Sequence, residues 1–318
     1  MADILTRAGE EPRAIEEGRV FLGRRRVTNG AEAVEEGDEV KIGAGTGTGR
    51  GTGAGTGTGT GTGTWRVLWE REGLLACFKP AGMPTVPDHL GASHALVALA
   101  AASVGRQVNE LLVTSRLDRE VSGVVVLATS AEAEARLKAA REQGRYFRRY
   151  VAIAVDGGLG DDSAIAGRGA NPCALPHAIW DAPIGRGKDA RHRAALGPDA
   201  KAATTHWAVV ARAGGFALLA VEPQTGRTHQ IRVHASHARA PLFGDRDYGG
   251  PTRATLPNGR VVALSRIALH AARVTVPGAH AGVLLAEAPV PVELMRAWTD
   301  LGGASEAWDT AVSCAFAT

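Results

Sequence analysis

The chain has 318 residues, 45% of them apolar and 22% charged, with a formal net charge of +3 at pH 7. That length can bury a full core and hold one large domain beside a small one, and the composition excludes a disordered chain. Cys77, Cys173 and Cys314 stand far apart without a C-x-x-C pair, which argues against a disulfide framework and a zinc ribbon. No stretch approaches the roughly 18 consecutive apolar residues of a membrane span. The first residues, with Asp3, Glu10 and Glu11, lack the apolar segment of a signal peptide, so the cytoplasm is the expected compartment.

Residues 1–42 read as a small module. Asp3 to Ala8 and Pro12 to Glu17 fit two short helices. Gly18 to Leu22 fits a strand, followed by Arg24-Arg25-Arg26, an Asn29-Gly30 turn and a last strand ending at Ile42. The pattern A-I-x-x-G-R-V, then N-G, then G-D-x-V is similar to an S4 RNA-binding domain. The module carries 7 Lys and Arg against 10 Asp and Glu, a balance of −3 that leaves +6 for the rest of the chain. Only Arg24, Arg25 and Arg26 look ready for phosphate. Residues 43–64 alternate Gly with Thr. Glycine has no side chain to pack and a large ordering entropy, so this stretch reads as a flexible linker spanning roughly 25 Å.

From Trp65 a new core begins, expected to run over residues 65–318. Val67 to Trp69 and Leu74 to Phe78 suggest paired strands, followed by a turn at Lys79-Pro80-Ala81-Gly82. Ala95 to Val104 is an apolar helix with Ser93 a candidate N-cap. Next comes Ser115-Arg116-Leu117-Asp118-Arg119-Glu120-Val121-Ser122-Gly123, leading into a wholly apolar strand, Val124 to Ala128, which implies cover on both faces. Thr129 to Glu132 reads as a capping box opening a helix that ends near Gly144. Phe147 to Val155 reads as a strand and 157–178 as a loop insertion. Trp207 to Ala211 and Phe216 to Val221 make a hairpin, Thr228 to Ala238 a helix, and Pro289 to Leu301 a closing helix. The tail, 302–318, gives no clear pattern.

Two stretches in this order carry the functional signal. One is Arg116-Leu117-Asp118 with Ser122-Gly123. The other is Thr225-Gly226-Arg227-Thr228-His229-Gln230-Ile231-Arg232-Val233-His234, followed by Gly244-Asp245 and Tyr248-Gly249. Together they resemble the RluA-type pseudouridine synthases, which carry R-L-D-x-x-T-S-G, then T-G-R-x-H-Q-[IL]-R-x-H and G-D-x-x-Y-G. The resemblance covers about 65–300, with Arg148-Arg149-Tyr150 similar to the family's [KR]-x-Y and Leu269-His270-Ala271 to its L-H-A. It implies an α+β fold: a long, mixed, mostly antiparallel sheet with flanking helices and a central cleft. The chain departs from the pattern at Ser115, where the family has His, and at Val121, where it has Thr.

The resemblance also implies chemistry. Pseudouridine formation breaks the N1–C1′ bond of a uridine, turns the base and joins C5 to C1′. It needs no redox partner, cofactor or metal, and a single carboxylate can act first as nucleophile and then as acid or base. Asp118 is implied as that carboxylate, Arg232 as the cation that aims it, and Tyr150 as the ring over the uracil. Arg116 matches the residue that fills the gap left by the flipped base. Ile231 and Leu269 would wall the pocket, with His229 pointing into it, and Lys79, Arg119 and Arg227 are candidates for phosphate contact. His229, His234 and His237 also invite a zinc hypothesis, but their spacing matches no ligand helix. The expected partner is rRNA or tRNA, with no membrane, no obligate protein partner and a monomeric chain. The competing readings are a catalytically silent RNA-binding protein of the same fold and an unrelated hydrolase. No G-x-S-x-G elbow supports the hydrolase.

Overall fold

The computed structural model describes residues 64–88, 94–160, 174–175, 177–189, 192–280 and 282–316, together with four short strands nearer the start, Val20–Leu22, Arg25–Arg26, Val40–Ile42 and Gly57–Thr58. The chain divides into two compact units, Met1–Gly53 and Ala54–Thr318. In the first, Val20–Leu22 is the central strand of a three-stranded antiparallel sheet, between Arg25–Arg26 and Val40–Ile42. The expected helices of this unit and Arg24 lie outside the described residues, as does most of the Gly-Thr stretch.

The second unit is built on an 11-stranded sheet. Its main elements are β1 (Thr64–Arg71), β2 (Leu74–Lys79), α1 (Leu96–Ser103), β3 (Ser122–Ala128), α2 (Ala131–Glu142), β4 (Phe147–Val155), β5 (Thr205–Ala213), β6 (Phe216–Pro223), α3 (Gln230–His237), β7 (Leu269–Pro277), β8 (Val283–Glu287), α4 (Val292–Asp300) and α5 (Ala307–Ser313). From one edge the order runs Ala178–Trp180, β5, β6, β4, β7, β3, β2, β1, Gly57–Thr58, with β8 added to β7 and Leu112–Val113 to β3. Neighbours in this path are antiparallel except β7 and β3, which are parallel and meet over His270↔Ser122 and Ala271↔Gly123. A sheet of β4–β6 and one of β1–β3 are therefore joined at a short seam.

The strands read as apolar runs because both faces are covered. Along β4, Tyr150, Ala152 and Ala154 belong to the core on the face of α1 and α3, while Val151 and Ile153 belong to the core under α4 and α5. In β3, Val125 and Leu127 share the first core, and Val124, Val126 and Ala128 pack under α2. The period of two thus sends Tyr150 to the cleft face and its neighbour Arg149 to the opposite one. There Arg149 binds Glu222 Oε1 and the carbonyls of Ala311 and Cys314, and its guanidinium lies over the Phe316 ring. The tail, patternless in sequence, is thereby docked as α5 on the sheet.

Several boundaries differ from the sequence reading. Helix α2 is capped by Ser130, whose Oγ accepts the Ala133 N–H, so the Thr129–Glu132 box does not form. Helix α1 begins after Ala95 with no side-chain cap, and Ser93 lies outside the described residues. Helix α4 starts at Val292, because Pro291 stands at its N-cap. Helix α3 starts at Gln230, two residues later than expected, because His229 adopts a left-handed φ of 57°.

Candidate active site

The seam between β7 and β3 places the site. Gly123 has φ 129°, and a Cβ there would stand 2.2 Å from the Ala271 carbonyl oxygen. Only glycine lets the two strands approach this closely, which explains the Gly of the Ser-Gly pair. Ser122 is the other half of the device. Its buried Oγ meets His270 Nδ1 at 2.8 Å and accepts Arg266 Nη2 at 2.7 Å. The loop 114–121 therefore enters β3 at a fixed point, with Asp118 just above it.

The loop is then clamped from the segment 79–88. Thr85 Oγ1 donates to the Leu117 carbonyl at 2.9 Å and accepts the Leu117 N–H at 3.1 Å. The Arg119 carbonyl accepts from Gly82 N–H at 2.8 Å and from Lys79 Nζ at 3.1 Å. Arg119 in turn donates Nε to the Gly82 carbonyl and Nη1 to Asp88, each at 2.9 Å. Both chain neighbours of Asp118 are thus fixed by directional bonds, which leaves its side chain little freedom.

Arg232 faces Asp118 from α3. Its Nη1 lies 3.2 Å from Asp118 Oδ2. The remaining guanidinium nitrogens are taken by Asp245 (Nε at 2.7 Å, Nη2 at 2.8 Å) and by Asp247 (Nη2 at 3.0 Å). Arg232 is 4% exposed and Asp245 is fully buried. Burial would expel the guanidinium charge, but bidentate bonding to Asp245 outweighs it and raises the Arg232 pKa above its ordinary value. His229 Nε2 approaches the same Asp118 oxygen at 3.9 Å.

Asp118, His229 and Arg232 line a cleft of about 580 Å³ whose wall includes Leu117, Val121, Tyr150, Ile231 and Leu269. Burial pushes the Tyr150 phenol up to about 12, so it is a neutral hydroxyl at pH 7. Arg116 and Arg227 are exposed residues lining the same cleft, Arg227 with Nε on the Ala202 carbonyl at 3.0 Å. Ser115 Oγ meets Tyr146 Oη at 3.2 Å, and Val121 adds a buried apolar surface.

The structure thus brings Asp118, Tyr150, Arg232, Arg116, Arg227, His229, Ile231 and Leu269 to one cleft. Arg119 lines a second groove beside it, on the other flank of Asp118. Lys79 is a correction: it is fully buried, and its Nζ donates to the carbonyls of Pro80 (3.0 Å), Met83 (2.7 Å) and Arg119 (3.1 Å), so it holds the protein's own backbone and has no path to a phosphate. His234 is likewise internal, with Nδ1 at Thr205 Oγ1 and Nε2 at the Ala182 carbonyl, both 2.9 Å. Gln230 ties 204–205 to 225–227 through four hydrogen bonds. Sequence reasoning assigned no role to Thr85, Gln230, Asp245, Asp247 or Tyr248. The G-D-x-x-Y-G pattern was the available signal for Asp245 and Tyr248, whereas Asp247 falls on one of its unspecified positions.

Residues 73–237 match the model of the family described as RNA pseudouridylate synthase. The ribosomal large subunit pseudouridine synthase D of Nitrosomonas europaea is 32% identical over 72% of this chain and 63% of its own length. An RNA pseudouridine synthase of Zymomonas mobilis is 31% identical over 74% of this chain and 97% of its own length. Among solved structures, human RNA pseudouridylate synthase domain containing 4 superposes with a TM-score of 0.55 at 21% identity, over 74% of this chain and 92% of that one. At that identity the likeness speaks for the fold.

Proposed function

Since this chain belongs to the RNA pseudouridylate synthase family, we propose that it isomerises specific uridines of RNA to pseudouridine, with Asp118 as the reacting carboxylate. The observation that carries the reading is the arrangement of charge. One carboxylate oxygen is held by Arg232, the guanidinium is locked from behind by Asp245 and Asp247, and Asp118 Oδ1 has no protein hydrogen bond among the described residues. A carboxylate fixed at one oxygen and open at the other, beside an apolar wall, suits attack on a nucleotide drawn out of its stack.

In this reading the uracil enters between Tyr150, Ile231 and Leu269, and the neutral Tyr150 phenol offers its face to the ring and its hydroxyl to polar edge atoms. Arg116 at the rim replaces the flipped base in the stack. Arg227, and Arg119 in the adjacent groove, meet phosphates. Bond formation at C5 then releases the C5 proton while N1, freed from C1′, gains one, so no electrons leave the system. The RNA is ribosomal or transfer RNA, and the names of the relatives favour ribosomal. Residues 1–42, as an S4-like module with Arg24, Arg25 and Arg26, would add a second grip on the same RNA, joined through the Gly-Thr linker 43–64. The enzyme would act in the cytoplasm as a monomer.

The test is a carbodiimide map of pseudouridine in host RNA, with and without the gene, complemented by wild type or Asp118→Asn. Sites that vanish on deletion and return only with wild type are expected. Return with Asp118→Asn overturns Asp118 as the reacting carboxylate, and no changed site at all overturns the whole reading and favours a silent RNA binder.

A further inference from the structure

Two side chains beside Asp118 have no task in the chemistry just described. His229 sits at φ 57°, a region that a residue with a ring occupies only where its surroundings enforce it. Its Nδ1 lies 2.7 Å from Tyr248 Oη, and the two rings meet edge to face with centroids 5.6 Å apart. Tyr248 is itself fixed. Its Oη accepts the Arg193 backbone N–H at 3.0 Å, its carbonyl accepts Ser236 Oγ at 2.8 Å, and its ring carries the Arg232 guanidinium 4.8 Å from the centroid. Tyr248 therefore touches both groups that face Asp118 Oδ2.

The phenol has one proton to give. With the Arg193 N–H already on its oxygen, the acceptor for that proton among the described residues is His229 Nδ1. A neutral imidazole that accepts at Nδ1 carries its hydrogen on Nε2, and Nε2 is the nitrogen facing Asp118. The charged groups around the ring are Asp118, Arg232, Asp245 and Arg193. Burial, aided by Arg232, outweighs the carboxylates and lowers the His229 pKa below its ordinary value, so the ring is neutral at pH 7.

We propose that Tyr248 is a positioning residue that selects the Nε2–H form of His229, and that this N–H is a second donor to the reacting carboxylate. The gap of 3.9 Å closes to a hydrogen bond when RNA fills the cleft, as catalytic contacts often tighten on substrate binding. Two donors on Oδ2 then leave Oδ1 as the attacking atom. The inference rests on Asp118 being the working carboxylate.

The experiment uses the full chain labelled with ¹⁵N-histidine, whose nitrogen shifts distinguish the two tautomers. A His229→Asn spectrum identifies the His229 signals, since Asn tolerates the left-handed backbone. Tyr248→Phe keeps the ring under Arg232 and removes only the hydroxyl. In wild type the Nε2–H form is expected. Tyr248→Phe is expected to give a mixture of tautomers, with kcat lower by about tenfold and KM within about twofold. His229→Asn is expected to lower kcat at least as much. An Nδ1–H form in active wild type, or unchanged kcat in either variant, overturns the inference while leaving the activity standing. A wild type that makes no pseudouridine overturns both.

Discussion

Lys79 and Arg232 look alike in the sequence: each is a cation in a motif that borders the cleft. In the structure both are buried, and they behave in opposite ways. Arg232 is surrounded by three carboxylates, Asp118, Asp245 and Asp247, and holds its proton more tightly than an arginine in water. Among the described residues, Lys79 has only three backbone carbonyls as close partners. Burial, with the nearby Arg266 charge acting in the same direction, pulls its pKa down to about 7. A buried cation is thus a working charge where carboxylates surround it, and a backbone clamp where carbonyls do.

The sharpest way to break this contrast is to remove the charge behind Arg232. Asp245→Asn keeps the shape and leaves the guanidinium free to lean toward Asp118. Losing one partner of such a pair costs about 3 kcal/mol of stability, and, if Asp118 is the reacting carboxylate, misplacing it lowers kcat by about a hundredfold. Urea unfolding and single-turnover kinetics check the two effects. Full activity in Asp245→Asn would mean that Asp118 needs no aimed cation.

Lys79→Met tests the other member. It takes the side-chain donor from the Pro80 and Met83 carbonyls and leaves the Arg119 carbonyl with the Gly82 N–H alone, and a loss of about 2 kcal/mol is expected. The pH dependence is more telling. An unfolded lysine titrates near its ordinary value, so above about 7 the unfolded chain binds the proton that the folded chain has released. Wild-type stability therefore rises with pH through this window, by about 1–2 kcal/mol between pH 7 and 8.5 relative to Lys79→Met. Parallel unfolding series at these two pH values measure it. A constant difference would place the Lys79 pKa above the window.

The same contrast explains which parts of the site could be seen in the sequence. The strands were legible because covered strands read as apolar runs, and Phe147–Val155 was placed to the residue. Asp118 and Arg232 were legible because each sits in a motif whose spacing is itself the signal. What escaped was connection at a distance. Thr85 clamps Leu117 from 32 residues away, and Asp245 holds Arg232 from 13 residues on, across a turn that has no periodicity. The role of Lys79 was misread for a related reason. A lysine before Pro-x-Gly has the same letter whether its ammonium faces solvent or three carbonyls, and only the fold decides. The start of α3 was misplaced because nothing in Thr228-His229-Gln230 announces a left-handed residue.

Arg227 supplies the third case, a cation that is neither caged nor buried. It lines both the main cleft and the groove beside it, and its Nε rests on one carbonyl, Ala202. Its backbone N–H, donated to Gln230 Oε1, survives truncation to alanine. Arg227→Ala should therefore shift stability by less than about 0.5 kcal/mol. If the guanidinium meets an RNA phosphate, KM rises a few-fold, and the slope of log affinity against log salt falls by about one. Filter binding of the RNA across a salt series reads that slope directly. An unchanged slope would take Arg227 out of the phosphate grip and leave it to Arg119 and residues 1–42. A fall in kcat with KM unchanged would place Arg227 with Arg232, among the charges that aim Asp118.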